Sequence, residues 1–246
     1  KKRASVIETL MIELRKEKGR YIAILLAMGV LGAAYAFLNF IIRKDTLLSL
    51  PLAPMDILLT QLYGMLMVLN MFGIIVATCM IYNMEFKGEA IKKNVYATIN
   101  VSSMYLCKFV ILTVLLLIAV LIQNLALLKI GITDLPVGTF NLNALIVFTG
   151  YSFITSMPVL SFMLLISSRF ENMWISLGIG VWWISKWNAI ANSKFHIIYG
   201  SPFVLMLKPA VALNASPNPT VIIFSLIETF AFLGVGLWLT KNHHYE

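Results

Sequence analysis

Lys186 and Glu228 each interrupt a stretch of otherwise apolar residues, 173–192 and 220–240. Ionisable groups in hydrocarbon are costly and point to function. Lys186 lies about six residues and Glu228 about eight from the same-side end of its stretch, or roughly 9–12 Å at the helical rise. That matching depth permits an ion pair between the two stretches or between two copies of the chain. An ion or proton site is a second use, and a lysine that snorkels outward is the plainest one. The amides Gln61, Asn70, Gln123, Asn124 and Asn188 fall in apolar stretches too, biased toward that same side. They would suit a polar exit path, or hydrogen bonds between helices worth about 0.6–2 kcal/mol each. Catalytic sets are missing. No G-x-x-x-x-G-K-[ST] is present to cradle nucleotide phosphates. His196, His243 and His244 lack companion ligands for a metal. Gly150-Tyr151-Ser152 has no histidine in any apolar stretch to serve as its base. No catalytic, cofactor-binding or metal residue is assigned.

The elements that position these groups follow from composition. Of 246 residues, 60% are apolar and 12% charged, where a soluble domain carries about 25% charge. Mean hydropathy is +0.88. A soluble fold could not hide that surface, disorder needs the opposite composition, and two cysteines make no disulfide scaffold. Apolar stretches at about 21–42, 57–82, 109–128, 144–167, 173–192 and 220–240 predict an all-α membrane protein with six transmembrane helices. With the N-terminus inside, 13 of the 19 basic residues fall on the cytoplasmic side, so both termini are expected there. The net charge of +8 then reports orientation and does not call for nucleic acid. Residues 195–213 are apolar and long, but Pro202, Lys208 and Pro209 interrupt them. The expectation for 194–219 is short re-entrant or extracellular helices.

Two cytoplasmic elements hold most of the remaining charge. Residues 1–20 begin with a capping box, Ser5 to Glu8. Val6, Ile7, Leu10, Met11 and Leu14 then recur at helical spacing, which predicts an amphipathic interfacial helix. Seven basic residues and three glutamates in this stretch argue against a cleavable signal. The rest, 21–246, reads as one transmembrane domain. Its long connection 83–108 mixes charge with Ile91, Val95 and Ile99 at every fourth residue, which fits a short amphipathic helix and a partner's docking site. Small residues form two contact faces, Gly29, Gly32, Ala33 and Ala36, and Ser176 with Gly180; they suit packing within the chain or a dimer seam. Pro158 is expected to kink its span.

This layout resembles the ABC-2 family of transporter permeases. These have a cytoplasmic amphipathic helix before six spans, and between spans two and three a loop that opens with Glu and Gly and closes in a Lys. Glu85, Gly88, the stretch 98–103 and Lys108 match those places. Where the family often has Pro, Ser and Arg in the turn, this chain has Asn100, Val101, Ser102 and Ser103, and Cys107 precedes the closing Lys. The resemblance implies that the loop docks on an ABC ATP-binding subunit, with ATP and Mg held by that partner. Glu85, Gly88, Glu89, Lys92, Lys93, Asn100, Ser102 and Lys108 are then the coupling residues. It also implies a second copy or a related permease beside this chain, and a peptide cargo of toxin or antimicrobial type. The likeness is greatest to small permeases of the Gram-positive plasma membrane that handle bacteriocins, lantibiotic immunity or phenol-soluble modulins.

Overall fold

A computed structural model describes residues 8, 10, 11, 20–87, 101–190, 200–212 and 216–242. Every regular element among them is helical. In chain order they are α1 (Arg20–Leu48), α2 (Pro54–Asp56), a π-helical turn (Ile57–Leu62), α3 (Tyr63–Lys87) and α4 (Val101–Thr133). Then come α5 (Leu142–Ser167), α6 (Met173–Ile190), α7 (Pro202–Val211) and α8 (Pro219–Asn242).

Five helical stretches are long and apolar enough to cross a membrane: 22–48, 54–86, 101–133, 142–167 and 219–241. The protein is a multi-pass, all-helical membrane protein. The fifth span of the sequence reading corresponds to α6, whose 18 residues rise about 27 Å, slightly less than a hydrocarbon core of about 30 Å. The ten residues of α7 rise about 15 Å, half that thickness, so α7 does not cross by itself. The helices also outrun the apolar windows. α4 has 33 residues and rises about 50 Å, well beyond the hydrocarbon. A hydropathy window stops at the first charges, whereas a helix continues through them when neighbours satisfy them. As a result Asn83–Lys87 and 101–108, read as connection from sequence, are helical.

The alternation brings the start of α1, the end of α3, the start of α4, the end of α5, the start of α6 and the end of α8 to one end, here the basic end. α3 and α5 are mostly buried, while α1 and α8 expose most of their surface. Val30, Leu38, Ile41 and Ile42 on α1, and Ile227, Phe230 and Trp238 on α8, form apolar outer faces. Such faces suit lipid rather than water. Two buried apolar clusters lie end to end inside. One includes Leu25, Ile75, Leu112, Leu160 and Phe203; the other includes Phe40, Leu59, Tyr63, Leu127 and Phe148.

The small residues explain the tightest helix contacts. A Cβ added at Gly29 would stand 3.0 Å from Ala119 Cα, and one at Gly32 2.6 Å from Gln123 Nε2. The face of Gly29, Gly32, Ala33 and Ala36 thus packs α1 on α4 within the chain. Gly180 likewise faces Ile75 of α3, whose side chain lies 2.8 Å from the position of an added Cβ. α5 stays helical from Leu142 to Ser167 with Pro158 inside it.

Candidate functional site

At the basic end, Lys108 Nζ donates to Glu85 Oε1 at 3.1 Å. Their side chains are 1% and 4% exposed. Glu85 stands in the last turn of α3, and Lys108 is the eighth residue of α4. The lysine also lies over the Tyr82 ring, 5.7 Å from its centroid, where the ring quadrupole adds a weaker attraction. Two charges leave water here, and only close geometry offsets that cost. The pair closes the base of the 88–100 connection. Gly88, Glu89, Lys92, Lys93 and Asn100 lie outside the described residues. Ser102, in the first turn of α4, is 3.5 Å from Thr240 of α8 through their hydroxyls. Leu10 packs against the apolar cluster at this end.

A cleft of about 270 Å³ opens beside the pair, lined by Asn83 and Phe86 of α3 and by Glu171, Asn172, Met173 and Trp174. Trp174 is 72% exposed. The sequence reading missed this cleft, because its two walls lie more than 80 residues apart and no local pattern joins them.

Deeper in the bundle, Asn70 Nδ2 donates to Gln123 Oε1 at 3.0 Å, and Gln123 Nε2 donates to Asn70 Oδ1 at 2.7 Å. A third contact runs from Gln123 Nε2 to the Met28 carbonyl at 3.4 Å. One amide pair therefore ties α1, α3 and α4 together, and Gly32 leaves the room for it. The sequence reading put Gln123 and Asn124 near a span end. Because α4 continues to Thr133, Gln123 lies ten residues inside it. Asn124 Nδ2 donates to the Val120 carbonyl at 2.9 Å. Gln61 is half-buried in the π-helical turn; π-turns recur where spans are adapted for function.

Glu228 is half-buried in α8. Its Oε2 is enclosed and has no hydrogen-bond partner among the described residues, and neither has Ser225 Oγ one turn earlier. Lys186 and Asn188 lie in α6, but their side chains fall outside the described residues, and the expected Lys186–Glu228 pair falls there with them. His196, His243 and His244 also lie outside them.

At the opposite end, Lys44 Nζ bonds Asp134 Oδ1 at 3.0 Å. The Lys44 hydrogen bond, helped by Thr133, holds the Asp134 carboxyl below the usual aspartate range. α7 is inserted among α3, α5, α6 and α8. Phe203 at its start is fully buried. It stacks on Trp183 with 10° between rings at 6.4 Å and meets Phe162 edge-on at 6.1 Å. α7 covers only part of the 194–219 segment expected to be re-entrant or extracellular, and 194–199 and 213–215 lie outside the described residues. No family model matches the chain, and no curated protein matches it.

Proposed function

We propose that this chain is the permease subunit of an ATP-driven ABC exporter. It is a polytopic membrane protein of transport type. In the proposed assembly two permeases meet in the membrane, with the basic end and both termini in the cytoplasm. A separate ATP-binding subunit docks on the 88–100 connection, with Glu89, Lys92 and Lys93 at the contact. The observation that carries this reading is the buried Glu85–Lys108 pair. It fixes the two ends of that connection to α3 and α4. A push on the connection is thereby delivered to two long helices rather than absorbed in a slack loop. Movement of α4 reaches α1 and α3 through Asn70 and Gln123. An amphipathic or hydrophobic peptide, of toxin or antimicrobial type, enters from the cytoplasm or inner leaflet and leaves near Lys186 and Glu228. The cargo class rests on the ABC-2 resemblance.

A second reading rests on Glu228 Oε2, which is enclosed and has no hydrogen-bond partner among the described residues. A carboxyl in that position could carry a proton or ion without any ATPase.

Co-expression in the native gene context distinguishes the two. The exporter reading expects a chain with an ATP-binding motif to co-purify, with ATPase activity that depends on this protein. Alanine at Glu89, Lys92 and Lys93 together is expected to lower that stimulation while leaving the amount of folded protein unchanged. Absence of any ATPase partner, together with proton flux in vesicles abolished by Glu228→Gln, would establish the second reading instead.

A further inference from the structure

The cleft of about 270 Å³ at the basic end has three kinds of wall. Glu171 supplies a carboxylate. Asn83 and Asn172 supply side-chain amides. Phe86, Met173 and Trp174 supply aromatic and apolar surface. No lysine or arginine is among the described residues that line it. The cleft is therefore an acidic niche at the end of the bundle that collects most of the basic residues. Its walls come from the end of α3 and from the turn into α6, so the packing of two helices sets the space between them.

This lining suits a cation on an apolar stem. A carboxylate and amide oxygens attract the charge, and an aromatic face adds cation–π attraction, strongest with tryptophan. Trp174 is 72% exposed and so open to a ligand. The N-terminus of α6 would by itself favour an anion, but Asn172 already caps it, its Oδ1 accepting from the Trp174 amide at 3.0 Å. Glu171 beside that cap repels an anion. A long basic side chain fits the remaining walls, because its methylenes bury while its head stays with polar groups. A guanidinium can also stack on an indole and give a carboxylate two parallel N–H groups. A zwitterionic lipid headgroup fits less well, since its phosphate would come near Glu171 with no cation in the lining to meet it. Beyond the cleft, Trp174, Ile175, Val181 and Trp182 recur at helical spacing and are all exposed, which gives α6 one apolar outer face. A ligand seated at the cleft can thus keep an apolar side against lipid and α6 and turn a basic side inward. That is the chemistry of an amphipathic peptide lying at a membrane interface.

We infer that this cleft binds a basic side chain, arginine best and lysine next, of an amphipathic peptide at the membrane interface of the basic end. The Glu171 carboxylate meets the cation, Trp174 and Phe86 cover it, and Met173 packs on its stem. The inference deepens the exporter reading, on which it rests only for the role of that peptide as cargo. Cargo is then selected for positive charge at the permease itself, before translocation.

The test measures binding to the full chain in phosphatidylcholine nanodiscs, whose surface has no net charge. The probes are fluorescently labelled helical peptides that share one apolar face and carry arginine, glutamine or glutamate on the other, with empty nanodiscs as background. The arginine peptide is expected to bind tightest and the glutamate peptide weakest. Glu171→Gln should weaken the arginine peptide about tenfold, as loss of a charge-assisted hydrogen bond does, and leave the glutamine peptide unchanged. That difference should shrink at high salt. Trp174→Leu should weaken the arginine peptide about two- to fivefold, the worth of an exposed cation–π contact. Both side chains are exposed, so thermal unfolding should be unchanged, and Trp174→Leu carries the test if Glu171→Gln does not fold. Equal affinity for the arginine and glutamine peptides, or an arginine affinity that the folded variants leave unchanged, overturns the site. Phosphatidylethanolamine that displaces the arginine peptide when added to the nanodiscs would assign the cleft to a lipid amine and overturn the peptide. No ATPase enters the measurement. A co-purifying ATP-binding chain without any effect of Glu171→Gln would end this inference alone, and charge-selective binding without such a chain would end the exporter reading alone.

Discussion

Glu85 and Lys108 are 23 residues apart in sequence and 3.1 Å apart in space, in a place where neither reaches water. Removal of one partner strands the other as a buried charge. Glu85→Leu or Lys108→Met alone is expected to destabilise the protein by about 3–5 kcal/mol. The double variant Glu85→Leu/Lys108→Met should recover most of that loss, since apolar replacement of a whole buried pair is often neutral. Unfolding in detergent measures the cycle. Simple additivity would show that the pair is not coupled.

The Asn70–Gln123 amide pair and Gly32 form one unit. Asn70→Leu and Gln123→Leu should show a coupling energy of about 0.6–2 kcal/mol. Gly32→Ala should be harmful in the native chain, because its methyl would stand 2.6 Å from Gln123 Nε2. The same change in a Gln123→Ala background should be well tolerated. Equal harm in both backgrounds would place the clash elsewhere.

Glycines divide by what a side chain would meet. Gly29→Val should disrupt the α1–α4 contact, because Ala119 backbone lies 3.0 Å from the added Cβ. Gly178 and Gly234 have nothing within 4 Å. Gly234→Ala should be neutral or stabilising by up to about 1 kcal/mol, through lower chain entropy and better helix propensity. Thermal unfolding of the two variants checks the contrast.

The Lys44–Asp134 bridge is solvent-accessible, with side chains 44% and 35% exposed. Its worth is expected to be below about 1 kcal/mol, and less at high salt. Because Lys44 lowers the folded-state pKa of Asp134, the contribution is present above the ordinary aspartate pKa. It is lost as pH falls through the lowered value. Asp134→Asn should flatten this acid limb of the stability profile, and an unchanged limb would exclude the bridge as its source.

Sidedness can be read at the turn between α4 and α5. Val137 is fully exposed, and Gly138 beside it has φ +83°, a left-handed conformation that glycine adopts without strain. Cys79 and Cys107 are both buried, so background labelling should be low. In intact cells Val137→Cys should react with a membrane-impermeant maleimide and Lys92→Cys should not. The reverse result would invert the orientation taken from the basic residues.

Composition and the spacing of apolar runs determined that this is a multi-pass helical protein, because only helices and closed β-barrels satisfy backbone polar groups inside a bilayer, and unbroken apolar runs of about 20 residues fit helices where barrel strands alternate over about ten. The sequence singled out Glu85 and Lys108 only as candidate coupling residues, through a resemblance, and nothing in their spacing pointed to the pairing of their side chains. Helix ends were misjudged for a physical reason: the window reading stopped at the charges near Lys108, which a partner on another helix neutralises. The sequence also left two uses open for the small-residue face of α1 and for the amides, since spacing records which residues share a face but not what that face meets. Only the tertiary structure decided that Gly32 makes room for Gln123, that Gln123 pairs with Asn70, and that α7 is buried among its neighbours. The burial of Arg169 Nε and Nη2, without a hydrogen-bond partner among the described residues, came from the same source. In the sequence Arg169 was one more basic residue at a span end, and burial of its two nitrogens is a property of packing that no local pattern records.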